Sequence, residues 1–387
     1  VLTVTRYLTV LDLLSRVDRE VPAAVARVAR GGVAFLRAIE PPDGRLPLLN
    51  DSVHGESLTL PECRGYASAV GVDAATLDGA TVAPPDVDRA TTQSGGDVSP
   101  SVTSDGGAAT RDPAGLDAAG ELPRVEALEA SGYYWLDTES GRAFLDGGAI
   151  GPAHLPAHSH NDHFSILLWI DGHPVATDTG TPVYAPTDDR QYARSVAAHN
   201  TVQYGDTEPI DVGGSYLFGR RIEPEVAIAS TDEFAVLDGR YRRADGSYAH
   251  RRRVVAAADW WLIWDDITAN APAPVRSRLH LDPAVSVSDP RDRAQLDLRH
   301  EAAGPDPLVR VTPLGVGTTT VARSPYFPTF GTRTERSSIA FQTRGADVSF
   351  GYVIAPDRRE PVAVDRTASG LVVSMDDRTY EVPNPDR

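Results

Sequence analysis

The sequence predicts a multi-domain α and β chain in which a short helical part precedes a large antiparallel β-sandwich. Three observations carry that prediction. Apolar residues recur at helical spacing through the first forty positions; near position 72 the chain loses its apolar and aromatic content; from Gly132 onward, short β-branched and aromatic runs alternate with turn residues. At 387 residues the chain exceeds the usual single-domain length, and 41% hydrophobic content suffices for a packed core.

The helical part is read as residues 1–71. In Tyr7-Leu8-Thr9-Val10-Leu11-Asp12-Leu13-Leu14 the apolar positions are three and four apart, and Val21 to Ile39 repeats the pattern after the Asp18-Arg19-Glu20 break. Two antiparallel helices joined by a short polar turn fit this, with Pro41-Pro42-Asp43-Gly44 stopping the second. Two helices alone bury too little to form a domain, so they should dock on something larger. Residues 72–130 are read as an acidic low-complexity linker or insertion. Their Asp, Gly, Ala, Ser, Thr and Pro cannot bury enough apolar surface to offset the entropy of ordering. Residues 131–387 form the sandwich. Tyr133–Leu136, Phe164–Ile170, Thr201–Tyr204, Arg253–Ala257, Trp260–Trp264 and Val348–Ile354 read as strands with no helix pattern between them, which favours antiparallel sheets over a parallel α/β fold.

Net charge is −17 and every basic residue is arginine. Such acidity disfavours nucleic acid and anionic membranes as partners, and an acidic, lysine-free surface fits adaptation to high salt. Cys63 is the single cysteine, which excludes intramolecular disulfides and cysteine-rich metal sites. No run of 18 apolar residues exists to span a membrane. No cationic, apolar-core leader follows Val1, and localisation stays open, secretion or the cell surface being compatible with the sequence.

The chemistry gathers between residues 154 and 200, around His158-Ser159-His160-Asn161-Asp162-His163. Asp178 follows in Ala-Thr-Asp-Thr-Gly, and His199 in Ala-Ala-His-Asn-Thr-Val. Imidazoles and a carboxylate in this pattern suit a divalent metal, zinc above all. His154, His163 and His173 are equally readable as ordinary surface or core residues. His-x-His-x-Asp-His also matches the metallo-β-lactamase-like fingerprint, but there a strand precedes the motif and a helix follows. Here a loop-like Gly147–Pro156 precedes it and a strand follows, turning at Asp171-Gly172.

The stretch instead resembles the heparinase II/III-like family of polysaccharide lyases. The resemblance rests on Asp146-Gly147-Gly148, His158-Ser159-His160-Asn161-Asp162, Asp171-Gly172-His173-Pro174, Asp178-Thr179-Gly180, Tyr184, Arg190, Arg194 and Ala198-His199-Asn200-Thr201-Val202. Arg251-Arg252-Arg253-Val254 and Trp264-Asp265-Asp266 resemble the family's sandwich, and Pro42-Asp43-Gly44 and Leu49-Asn50-Asp51-Ser52 the end of its α/α toroid.

The resemblance implies partial toroid helices followed by the sandwich, with an acidic polysaccharide as substrate. It implies a structural zinc ion on His160, Asp178 and His199, with His158 facing the substrate; side-chain chemistry allows Asn200 or Asp162 to orient a ligand. In an ideal two-residue hairpin Asp178 falls opposite Ser165, about 17 Å from His160 at ~3.4 Å per residue. The chain must therefore bend or bulge before Ser165, or the hairpin must be longer.

Family members cleave uronate polymers by β-elimination, which needs a base for the C5 proton and donors for the carboxylate. By resemblance Tyr7, His158 and Tyr184 are the catalytic candidates, with Tyr192 as a substitute for Tyr184. Arg194 and Arg220 are the substrate-binding candidates, with Arg221 beside them. The family's toroid Asn-His pair falls before Tyr7, so the expectation is the C-terminal part of a lyase, incomplete as this chain. The alternative is a catalytically inactive, zinc-stabilised carbohydrate-binding or structural sandwich.

Overall fold

The computed structural model describes residues 1–72, 122–152, 155–288, 295–356, 361–367 and 370–385. Most of the segment read as linker, and His154, lie outside them. Two compact units emerge: Val1–Ala38 with Pro61–Ala119, and Ile39–Leu60 with Gly120–Arg387. The segment 39–60, taken from sequence as part of the helical region, thus clusters with the sheets.

In the first unit α1 (Leu2–Arg16) and α2 (Ala23–Ala38) are the two helices expected, and α3 (Leu60–Ala69) is a third. Leu8 and Leu11 of α1 and Ala29, Val33 and Leu36 of α2 are buried. A Cβ on Gly32 would lie 2.6 Å from a Val4 methyl, so this glycine lets the two helices approach closely. Asp18 turns the chain between them in the left-handed region. Val10 and Leu13 of α1 and Val17 just after it are exposed.

The second unit begins with a five-stranded antiparallel sheet of β1 (Arg124–Leu128), β2 (Tyr133–Asp137), β3 (Gly141–Asp146), β4 (Ile166–Ile170) and β5 (His173–Ala176), in that order. β1 lies inside the stretch read as linker, so the sheet starts at Arg124 rather than 131. Its alternating Val125 and Ala127 pack on the core, a period-two signal that the composition of the surrounding segment obscures.

A ten-stranded sheet follows, centred on two long strands, Trp261–His280 and Thr334–Ala355. Pro272 of the first falls at a register shift between Thr268 and Ala273, where the ladder is interrupted and a proline is tolerated. A three-stranded sheet, Pro361–Arg366, Gly370–Met375 and Arg378–Pro383, completes the unit.

Strand alternation sorts side chains between layers. Leu136, Leu145, Ile166 and Leu168 join Leu237, Val254, Ile263 and Phe341 in the main core between the first two sheets. Their neighbours Trp135, Phe144, Leu167 and Trp169 turn to the other face, where Leu49 covers them. Leu262, Trp264 and Val353 leave the opposite face of the ten-stranded sheet and meet Leu371, Val373 and Met375 of the three-stranded one. Both faces of the central strands are therefore buried, which explains their nearly continuous apolar runs.

Candidate active site

The β4–β5 hairpin has the predicted two-residue turn, with Asp171 and Gly172 both at positive φ and Ile170 opposite His173. The chain reverses before β4. Ser165 N–H donates to Asp162 O at 2.7 Å, and Phe164 sits at φ 60° with its N–H donating to Asp146 O at 2.7 Å. A left-handed non-glycine residue costs roughly 1–2 kcal/mol. Full burial of the Phe164 ring beside Tyr241 and His250 offsets this.

This reversal is the bend the sequence required. It returns His160 toward His199, the two rings standing 5.3 Å apart. Arg252 fixes both segments from below: its Nη1 donates to Phe164 O (3.0 Å) and Asn200 O (2.6 Å), while Nε and Nη2 bind the buried Asp265 carboxylate. Asn200, expected to orient a ligand, instead stitches backbone, donating to Ile166 O (2.7 Å) and Thr177 O (3.2 Å) and accepting from His280 N–H (2.6 Å).

Asp51 organises the site. Its carboxylate lies 2.9 Å from His158 Nδ1 and 2.9 Å from His160 Nε2, and it accepts from Thr181 Oγ1 at 2.9 Å. Arg190 clamps both of its oxygens, Nη2 at 3.0 Å. Burial raises the pKa of Asp51, but the hydrogen bonds of His160 and Arg190 outweigh it and hold the carboxyl well below its ordinary range. Asn50, in the left-handed region, adds an acceptor for His160 N–H at 3.1 Å.

Asp51 stands in the Leu49-Asn50-Asp51-Ser52 run, whose residue types alone give it no partner. Arg190, part of the resemblance, gains its role only from its contact with Asp51. It is set by α4 (Asp188–Arg194), a short helix that opens with Thr187 accepting Arg190 N–H.

The expected metal donors all lie near one another in full burial. Burial holds His160 largely neutral, its pKa lowered to about 4, and with Nε2 on a carboxylate its Nδ1 lone pair has no partner. His199 Nε2 faces Ala193 O at 3.1 Å, and a carbonyl cannot donate, so that nitrogen carries the hydrogen. Nδ1 faces Asp178 Oδ1 at 2.8 Å, another acceptor, so both ring nitrogens donate; burial lowers the His199 pKa, but the charge and hydrogen bond of Asp178 outweigh it and raise it, while Asp178 Oδ2 is buried without a partner.

Pinning the outer nitrogen of each histidine with an oxygen acceptor is how metal-binding imidazoles are oriented. Asp162 adds a further buried carboxyl, its pKa raised to about 7 by burial against the opposing pull of His199, with Asp178 adding to the rise. Of the expected metal donors, His160 Nδ1 and Asp178 Oδ2 are the buried atoms left without a partner, and an imidazole nitrogen with a carboxylate oxygen is chemistry that suits zinc. Among the described residues no group of three or more His, Cys, Asp or Glu side chains is arranged to hold a metal ion.

At the outer end His158 is 56% exposed, and its ring stands 5.6 Å from that of Tyr184, edge to face. The Arg190 guanidinium lies 5.4 Å from the Tyr184 ring, and Phe330 5.2 Å. Burial, and then the charge of Asp51, raise the Tyr184 pKa. Tyr192 instead packs on Phe327, centroids 6.4 Å apart.

Arg194 does not match its predicted role. It is fully buried, donating to the backbone carbonyls of Ser159 (3.4 Å), Gly214 (2.5 Å) and Leu217 (3.3 Å), with its guanidinium 4.3 Å over the Phe218 ring. An arginine so satisfied anchors loops and cannot also clasp a substrate carboxylate. Arg220 is exposed with a 3.5 Å contact to Ala244 O, and Arg221 reaches Gly151 O at 2.6 Å. Tyr7 lies half-buried on α1 of the helical unit.

Solved structures share this fold. Heparan sulfate lyase HepC from Pedobacter heparinus aligns at TM-score 0.64 and 13% identity, over 99% of this chain and 57% of its own. The BT4657 gene product, a heparinase III, aligns at TM-score 0.65 and 14% identity, over 97% of this chain and 56% of its own. The chain thus spans somewhat more than half the length of these structures. No curated protein matches it in sequence. The sequence model described as heparinase II/III-like, C-terminal, matches residues 120–367. That match covers well over half of the chain, which therefore belongs to the heparinase II/III-like family.

Proposed function

We propose that the chain is the C-terminal part of a polysaccharide lyase that cleaves a uronate-containing polysaccharide by β-elimination, with a structural zinc ion. The carrying observation is the exposed His158 imidazole, held through Nδ1 by the Asp51 carboxylate and flanked by the Tyr184 phenol. Because Asp51 only accepts, Nδ1 carries the hydrogen and Nε2 keeps its lone pair.

In the proposed reaction His158 Nε2 removes the C5 proton beside the uronate carboxylate. The C–H electron pair becomes the C4–C5 double bond, and the C4–O bond breaks with its pair on the leaving oxygen. Tyr184, kept protonated by its raised pKa, supplies that oxygen with a proton. Tyr7, carried over by resemblance, is the second proposed proton carrier, with α1 to α3 read as the last helices of the α/α toroid. Arg220 is the arginine proposed for a substrate carboxylate. Zinc, when bound, would be held by His160, His199 and Asp178, with the His199–Asp178 hydrogen bond giving way to it, and would supply a fixed positive charge among the buried carboxylates and no chemical step.

The test incubates the full-length protein in high salt with a panel of uronans and follows the ultraviolet absorbance of the C4–C5 double bond conjugated to the carboxylate. Absorbance should rise with at least one polymer and stay flat with a folded His158→Ala variant. No rise with any uronan would overturn the lyase reading. Uronan binding without turnover would leave the zinc-stabilised, catalytically inactive sandwich in its place.

A further inference from the structure

Beside His158 stands a small hairpin, Val212–Gly213 paired with Leu217–Phe218, whose tip is Gly214-Ser215-Tyr216. Two-residue strands cannot hold themselves together in water. Two buried arginines of α4 hold this one. Arg194 binds the carbonyls of Gly214 and Leu217 and lies over the Phe218 ring, while Arg190 Nη2 reaches Ser215 O at 3.4 Å. Arg190 also grips Asp51, so the hairpin is fixed to the carboxylate that positions His158.

This investment presents apolar surface to solvent. Leu217 is 69% exposed and Tyr216 47%, and Tyr216 Oη donates to Tyr184 O at 3.0 Å, which ties its phenol end to the residue packed against His158. An aromatic ring held rigid and left uncovered next to a polar reactive group is suited to stacking on the C–H face of a pyranose, which offers apolar surface on one side and hydroxyls at its rim.

We propose that Tyr216, with Leu217 beside it, is a sugar-stacking subsite adjoining His158, and that Arg190 and Arg194 are its positioning residues. The occupant is a pyranose ring of the uronate-containing chain, so the inference rests on the substrate class proposed above. It assigns Arg194 a part in substrate binding that runs through the backbone of the hairpin and not through a salt bridge.

Equilibrium binding and steady-state turnover of uronate hexasaccharides, one sulfated and one unsulfated, test it on the full chain. Tyr216→Ala should weaken binding and raise KM roughly tenfold with kcat kept, whereas Tyr216→Phe retains the ring and should stay within about threefold of wild type. Arg194→Met should raise KM similarly and speed amide hydrogen exchange in residues 212–218.

Binding and KM unchanged in Tyr216→Ala would overturn the subsite while leaving the lyase reading intact. Tyr216-dependent binding without turnover would support the subsite and sink the lyase reading. A folded wild type that binds neither hexasaccharide would overturn both.

Discussion

Asp51 shows why a site can be half visible in sequence. His158 and His160 announce themselves as a dense histidine run, but the carboxylate that sets their tautomers lies 107 and 109 positions away in a segment without local pattern. The resemblance quoted its neighbourhood, and nothing in residue type alone gave it a partner. Removing it leaves Arg190 buried and uncompensated, so Asp51→Ala should cost about 3–5 kcal/mol in a denaturant melt.

The two histidines should then separate by function. His160→Ala is expected to lose bound zinc and melt at lower temperature, while His158→Ala keeps zinc and its melting temperature and loses turnover. Elemental analysis of the purified variants decides this, and equal zinc in wild type and His160→Ala would show the ligand assignment to be wrong. Arg194 carries the opposite lesson. The residue type was legible as a carboxylate binder, yet its burial among carbonyls is a property of loops that meet only in three dimensions.

Elements explain the motifs. Asp178-Thr179-Gly180 ends in a glycine because the chain there takes φ 73° and runs against Phe327, where a Cβ would stand 2.2 Å from a backbone oxygen. Phe327 N–H donates to Thr179 O at 2.8 Å across the same crossing, which aligns the backbone next to Asp178. Gly180→Ala should therefore destabilise by more than the roughly 1–2 kcal/mol of a left-handed alanine. It should also lower zinc content by shifting Asp178, both read from a melt and a metal assay.

The Asp171-Gly172 turn was readable because two-residue hairpins have strong local chemistry. The turn at Asp162–Ser165 was not, since Phe164 has no intrinsic preference for positive φ and is held there by its buried ring. The short α4 was also missed, its seven residues being too few to set a periodic pattern.

Across the whole molecule, the paired sheets rest on a charged core as well as an apolar one. Asp265 accepts from Arg252, His250 and Ser277 in complete burial, and although burial raises its pKa, the charge of Arg252 and these bonds depress it well below the usual carboxylate value. A carboxylate depressed in the folded state stabilises above its unfolded pKa and loses that stabilisation as protons are added. The melting temperature should fall as pH drops below about 4, and Asp265→Asn, less stable at neutral pH, should lose less on acidification.

A formal charge of −17 adds repulsion that salt screens, and we propose adaptation to high salt. Melting temperature should then rise with sodium chloride from about 0.1 to 1 M, over which the screening length falls from roughly 10 to 3 Å. A flat or falling dependence would remove that reading.

The sequence by itself determined the antiparallel sandwich, the helices before it, the family, and the cluster of His160, Asp178 and His199 as one neighbourhood. Periodicity, turn chemistry and motif order are local properties, and they survive in one dimension. The tertiary structure decided what those residues touch. It placed Asp51 under His158 and His160, turned Arg194 from a substrate clasp into a loop anchor, gave β1 to the sheet, and left Tyr216 exposed near His158. Each of these depends on burial and on contacts between distant segments, which packing creates and no short stretch of sequence contains.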